Sequence, residues 1–356
     1  RPFGAGRDGL LLGEAAAAFL LETPASAVAA RRAPMVALLG CGLSQDGVHL
    51  TAPDRTGGGL ARATRAALAE GGVSAAEVGA VSAHATSTVF NDAMEARALT
   101  SVFDGPVPLH ALKPVVGHTL GAAGAIEAAL LVALLRGAPA PAPPDVSDPD
   151  CPIVPAPARD PKIGLSVSAA FGGVNAAVVF GPATVPAAAH GSGLRGEREA
   201  GPTSRPREDG GGVAGGATPP PQEEDPDIAT EDLPLSRMFP GAPTALGRAD
   251  AYVRAGIAVL AEVRDALGPD TAVVLASASN CHAADVRYHA GLLDGGPPHA
   301  SRLHFSYTIP GAPVAEAAIL LGLRGPVLSF CDGPARAHEE AARLARSGTP
   351  AVAVTV

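Results

Sequence analysis

The chain has 356 residues, room for roughly two or three domains, and 47% of them are apolar, enough to bury sizeable cores. Its 43 glycines and 35 prolines follow no period of three, which excludes collagen. A net charge of −9, 3% aromatic residues and no tryptophan exclude a surface built on phosphate neutralisation or base stacking, so no nucleic-acid partner is expected.

In chain order, Met35 to Gly40 reads as a buried strand and Gly59 to Glu70 as a helix stopped by Gly71-Gly72. Val78 to Ala83 is a short apolar strand. Asn91 to Val102 is helical, with Asn91 and Asp92 suited to its N-terminus. Val107 to Leu112 is strand-like. Ala122 to Leu135 is a helix apolar nearly all round, hence expected to be buried. Ile163 to Ser168 and Ala176 to Phe180 are two further strands. Strands alternating with helices indicate a layered α/β fold over residues 1–182.

From about 183 to 235 the composition turns to Gly, Pro, Glu, Arg and Ser, including Gly210-Gly211-Gly212 and Pro219-Pro220-Pro221. Such a stretch buries too little apolar surface to offset its ordering entropy, so a disordered linker is expected. Residues 236–356 return to alternation. Arg248 to Leu267 is an amphipathic helix and Thr271 to Ala276 a strand. Val314 to Gly322 is helical, Pro326 to Phe330 a strand, Ala335 to Ser347 helical, and Ala351 to Val356 a final strand. An opening at Arg1 without Met and a stop inside an apolar strand are what a fragment of a longer protein would show.

The four cysteines, at 41, 151, 281 and 331, are widely spaced and form no CxxC pair. Reduced thiols in a cytoplasm are expected, rather than a disulfide framework or a zinc ribbon. The longest apolar run, Ala123 to Leu135, contains Glu127 and is too short to span a bilayer.

Three segments carry the chemistry. His84-Ala85-Thr86-Ser87-Thr88 lies at a strand end before a helix, where α/β folds place their sites. Lys113-Pro114-Val115-Val116-Gly117-His118 again runs from strand to helix. Phe171-Gly172-Gly173-Val174-Asn175 is a glycine turn between two strands. Each alone has a plain explanation: a surface or capping histidine, a core helix, a hairpin turn. A metal site on His84 and His118 lacks any HExxH spacing or carboxylate pair, so no metal is expected. Cys281-His282 and His289 read as incidental surface residues.

The order of these segments resembles the β-ketoacyl synthases of fatty acid and polyketide assembly, members of the thiolase-like group. His84 to Thr88 is similar to that family's HGTST with Ala85 at the glycine, Lys113 to His118 to its KxxxGH, and Phe171 to Asn175 to its FGGTN with Val174 for threonine. Arg1-Pro2-Phe3, Arg7-Asp8-Gly9, Gly13-Glu14 and Thr51 to Asp54 resemble the flanking segments of the family's C-terminal half. Residues 236–356 are less closely similar to a synthase N-terminal half, of the chain-length-factor kind. The resemblance implies a thiolase-like fold, αβαβα when complete, present here as two incomplete halves.

It also implies decarboxylative Claisen condensation of acyl and malonyl units on an acyl carrier protein. His84 and His118 would donate hydrogen bonds to the thioester oxygen, and Lys113 would hold charge balance. Glu14 and Glu127 would be buried carboxylates partnering these groups, with Thr86 and Asn175 supporting. Phe171, with Gly172 and Gly173, would gate the acyl pocket. The family's nucleophile lies in the half preceding the point that matches Arg1. Cys331, at a strand-to-helix turn beside Asp332, is the one candidate within this chain; Cys41 and Cys151 read as structural. No bound cofactor is implied beyond the phosphopantetheine arm of the carrier, and the implied partners are that carrier and a homo- or heterodimeric synthase-like subunit. Two alternatives remain open: a circularly permuted synthase using Cys331, and a non-catalytic chain-length-factor-like partner.

Overall fold

The computed structural model describes residues 1–158, 161–183, 251–276, 312–330, 334–346 and 348–355. The expected linker, Cys281, His282, His289 and Cys331 lie outside these residues.

The first region begins with the short helix α1 (Pro24–Ala29), which periodicity did not indicate. Then follow β1 (Ala37–Gln45), α2 (Gly58–Glu70), β2 (Ala80–Ser82), α3 (Val89–Val102), β3 (Leu109–His110), α4 (Lys113–Val116), α5 (Ala123–Leu135), β4 (Gly164–Ala169) and β5 (Val174–Gly181). The five strands form one sheet in the order β1-β5-β4-β2-β3. β2 is parallel to both β3 and β4, whereas β5 runs antiparallel to β4 and β1. The carboxyl ends of β2, β3 and β4 therefore point the same way. Those are the ends at which His84, Lys113 and Phe171 follow.

β1 is longer than expected, because its glycines are packing devices and not terminators. A Cβ on Gly40 would stand 2.2 Å from the Ala67 carbonyl oxygen, and one on Gly42 1.9 Å from that of Ala63. Only glycine lets α2 lie this close to the strand. α2 and α3 pack the main core with Leu60, Met94, Leu99, Val81 and Leu165. On the other face, α5 sets Leu131 and Leu134 against Ala80 and Phe180; six of its thirteen residues are buried, fewer than its apolar sequence leads one to expect, and Leu130 is exposed.

The second region comprises α6 (Ala251–Glu262), β6 (Ala272–Ala276), α7 (Ala312–Leu321), β7 (Val327–Phe330), α8 (Pro334–Arg346) and β8 (Ala351–Thr355). Its three strands are parallel in the order β7-β6-β8. The apolar faces of α6 and α7 bury Val253, Ile257, Leu260 and Ala317 against Val273 and Leu275. The two regions touch: Leu50 and Val174 pack on that cluster, and the Gln45 N–H donates to the Arg324 carbonyl at 3.1 Å. The whole is mixed α/β, as the alternation of elements indicated. No helix among the described residues is long and apolar enough to cross a membrane.

Candidate functional site

The three motifs sit at the carboxyl ends of three adjacent parallel strands. His84 leaves β2 in a loop, residues 83–88, that buried carboxylates hold from below. The Glu95 carboxylate, itself fully buried, accepts the N–H of His84 on Oε1 and that of Ala85 on Oε2 at 2.7 Å. One turn earlier on α3, Asp92 accepts the N–H of Ser87 at 3.1 Å and that of Phe3 at 2.8 Å. Ala85 and Ser87 have φ of +43° and +65°, a region costly for residues with a Cβ. These carboxylates supply the fixed acceptors that hold such a backbone. Burial pushes Glu95 up to about 8, against the two N–H groups it accepts. Thr86 is buried, its hydroxyl 2.9 Å from that of Thr88.

Two sequence expectations are corrected here. Asn91 and Asp92 do not begin α3; Thr88 is its N-cap, and Asp92 turns inward to the loop. Glu14 is not a buried partner but exposed. Its segment runs over the surface and engages the site through backbone groups alone. Glu95 was the carboxylate missed. Its signal was positional: an acid one turn after Asp92 in a helical stretch otherwise dominated by apolar Ala93, Met94, Ala96, Ala98 and Leu99, where an unpaired charge is too costly to bury.

Lys113 opens α4 and is buried. Its Nζ lies 3.2 Å from His84 Nδ1 and donates to Glu127 Oε1. Burial pushes Glu127 up to about 7 despite that ammonium, and its Oε2 is buried without a hydrogen-bond partner among the described residues. The His118 ring is edge-on to His84, with centroids 5.5 Å apart and planes at 88°. Its Nδ1 accepts the Leu120 N–H at 3.2 Å.

These contacts fix the tautomers. His84 Nδ1 faces an ammonium and His118 Nδ1 faces a backbone donor, so both Nδ1 atoms accept and both protons sit on Nε2. Charging either ring is opposed. Burial foremost, with Lys113 and then His118 nearby, holds His84 well below 6.5; burial, then Lys113, brings His118 to about 4. The pair is thus two neutral N–H donors, fit to stabilise negative charge developing on an oxygen.

Phe171 to Gly173 forms the turn between β4 and β5, with Gly172 and Gly173 at φ +83° and +74°. It is held by the segment after β1. Gln45 Nε2 donates to the Gly172 carbonyl, and the Gly172 N–H donates to Leu50. The Asp46 N–H donates to the Gly173 carbonyl at 2.8 Å. Asn175 is buried and donates to Asp46 Oδ1 at 2.8 Å and to the Gly173 carbonyl at 3.1 Å, so it fixes the turn. Phe171 itself is 47% exposed. Cys41 is exposed and Cys151 buried. Burial pushes both thiols up, Cys151 to about 11, so neither suits a nucleophile at neutral pH. Among the described residues no group of three His, Cys, Asp or Glu could hold a metal ion.

Residues 35–145 match the family described as beta-ketoacyl synthase, C-terminal domain. The 3-oxoacyl-[acyl-carrier-protein] synthase 2 of Rhizobium meliloti (strain 1021) is 35% identical over 188 residues, covering 51% of this chain and 45% of that protein. The protein of the same name from Staphylococcus aureus is 37% identical over 190 residues, with 51% and 47% covered. A solved PfaC keto synthase–chain length factor aligns with 100% of this chain and 48% of its own at a TM-score of 0.63; at 15% identity it speaks for the fold alone. The chain thus spans less than half the length of these curated relatives. Its residues 35–145 are similar to the C-terminal domain of β-ketoacyl synthases.

Proposed function

We propose that this chain is a member of the β-ketoacyl synthase family, that it takes part in decarboxylative condensation of acyl and malonyl units borne on an acyl carrier protein, and that it contributes the His84, His118 and Lys113 part of the site. One observation carries the reading: two neutral imidazoles, each with its Nδ1 engaged and its Nε2–H available, meet at 5.5 Å between ring centroids. A malonyl thioester bound with its carbonyl oxygen at these donors loses carbon dioxide, and the electron pair left on carbon delocalises onto that oxygen as an enolate. The enolate carbon then attacks the carbonyl of an acyl group held on a cysteine. The new C–C bond forms and the thiolate leaves. Preorganised donors matter because they are already aimed where the charge appears, and each is worth about 3–4 kcal/mol.

Lys113 keeps His84 Nδ1 occupied by a donor, and Glu127 balances the ammonium. The substrate would arrive on the phosphopantetheine arm of the carrier, and a synthase-like subunit would complete the assembly. Residues 1–182 would be the synthase C-terminal half and 236–356 an N-terminal-like half, joined by 183–235. The nucleophile would come from a preceding half.

The packing of the two regions favours a second reading. Arg324 and Leu323 abut Gln45 and Gly47, so the second half would serve the first and Cys331, the next residue in sequence after Phe330, would be the nucleophile.

The experiment is carbon dioxide release from malonyl-loaded carrier by the full chain and its His84→Ala and His118→Ala variants, beside acyl labelling with and without Cys331→Ser. Decarboxylation lost in both histidine variants supports the site. Labelling abolished by Cys331→Ser selects the second reading, and labelling elsewhere or on an added subunit selects the first. Unchanged decarboxylation in the histidine variants would leave a non-catalytic chain-length-factor-like partner.

A further inference from the structure

We infer that the extended segment Gly9–Gly13 is a strap that positions His118 relative to His84, with Gly13 as its critical positioning residue; the consequence for catalysis rests on the roles proposed above. The segment bridges the two histidine loops by backbone alone. At one end the Gly9 N–H donates to the Ser87 carbonyl at 3.1 Å, in the loop that carries His84. At the other, the His118 N–H donates to the Leu11 carbonyl at 2.6 Å and the Gly13 N–H donates to the His118 carbonyl at 3.2 Å. Leu12 and His118 pair as a parallel bridge. Both main-chain polar groups of His118 are thus committed to the strap.

The crossing is possible only for glycine on both sides. A Cβ on Gly13 would stand 2.2 Å from the Val116 carbonyl oxygen. A Cβ on Gly117, which has φ +74°, would stand 2.7 Å from the Gly13 Cα. A strand that served packing would bury alternate side chains. Here Leu10, Leu11 and Leu12 are 42%, 70% and 64% exposed, so this segment engages the two loops through hydrogen bonds. His118 then keeps its place from outside its own loop, which explains how its ring can hold both the Leu120 N–H and the edge-on contact with His84. A displacement of about 1 Å at a donor costs roughly 10²-fold in rate.

The test compares the full chain with Gly13→Ala and with Gly121→Ala, a site where an added Cβ meets nothing within 4 Å. Amide exchange at His118 and the pH titration of its ring by NMR are read alongside thermal unfolding. Slow exchange of the His118 amide in the parent is expected. In Gly13→Ala that exchange accelerates at least about tenfold, and the ring titration moves up from about 4 toward 6.5. Gly121→Ala matches the parent. A His118 amide that exchanges as an exposed loop amide in the parent overturns the strap, even if Gly13→Ala does not fold. So does a folded Gly13→Ala with parental exchange and titration. Neither readout needs turnover. For malonyl decarboxylation, kcat falls about 10²-fold in Gly13→Ala with KM unchanged. A displaced ring with unchanged kcat would defeat the catalytic reading and leave the strap standing.

Discussion

The two regions are both built from helices on a sheet with parallel strands, yet they bury different things. Among the described residues, the buried polar and charged side chains, including Arg7, Asp46, His84, Asp92, Glu95, Lys113 and Glu127, lie in residues 1–183; Thr271 is the exception from the second region. The second region instead packs Val253, Ile257, Leu260 and Leu275. Burying charge is expensive unless it is paired and hydrogen-bonded. The first region bears that expense around the carboxyl ends of β2 and β3, where it fixes two backbone loops and two imidazole tautomers. The second shows apolar packing of the ordinary kind. Polarity under burial, more than fold, separates the region that carries the candidate site from the region beside it.

That contrast can be broken or sharpened by substitution. The largest effect is expected at the donors. His84→Ala removes one preorganised N–H and should lower malonyl decarboxylation about 10²–10³-fold, with thermal stability little changed. A loss under fivefold would remove His84 from the donor pair. Leu260→Ala in the second region should cost about 2–5 kcal/mol in chemical denaturation, while the folded fraction keeps its rate. An equal loss of rate per folded molecule would show that the second region sets the site.

Glu95→Ala leaves the N–H groups of His84 and Ala85 without their acceptor, at about 1–3 kcal/mol for each buried donor. Its mark is a combined fall in unfolding free energy and in decarboxylation rate. Full activity in this variant would mean that the loop holds itself.

The smallest effects are those of pH. His118 and His110 lie near 4 in the folded protein, below the ordinary imidazole value, because burial disfavours their charged forms. The unfolded chain binds more protons between about 4 and 6.5, so their contribution makes stability fall as pH drops through that window. Glu127, raised to about 7 by burial, has the opposite sign: its contribution is lost as pH rises from about 4.5 to 7. Denaturation of Glu127→Gln across pH 5 to 7.5 should lack that decline. The rate should show no imidazole limb near 6.5, and any limb near 7 should vanish in Glu127→Gln. An acid limb at 6.5 that survives this substitution would contradict neutral, buried rings.

Much of this was legible in the sequence. α2, α5 and β4 were placed within a residue or two, because apolar periodicity and glycine stops agree there. The three motifs are visible because glycines and histidines mark two strand-to-helix loops and one turn between strands. β1 was read too short, since Gly40 and Gly42 look like terminators until α2 is seen lying on them. α3 was started late, because Asp92 near a helix start reads as a cap, whereas its carboxylate holds the backbone of Ser87 and Phe3. The resemblance implies a buried Glu14, but this residue is exposed, as are Leu10 to Leu12 and Leu20 near it. Hydrogen bonds to backbone groups distant in sequence leave no periodic trace, so the partners of Glu95 and the whole strap emerge only in three dimensions.

The central claim is that His84 and His118 present paired, neutral Nε2–H donors. A long-range proton–nitrogen NMR spectrum of the imidazoles in the folded chain at pH 7 tests it most directly. Both rings should be uncharged, with the proton on Nε2 and Nδ1 as an acceptor. A charged ring, or a proton on Nδ1 of either histidine, would contradict it.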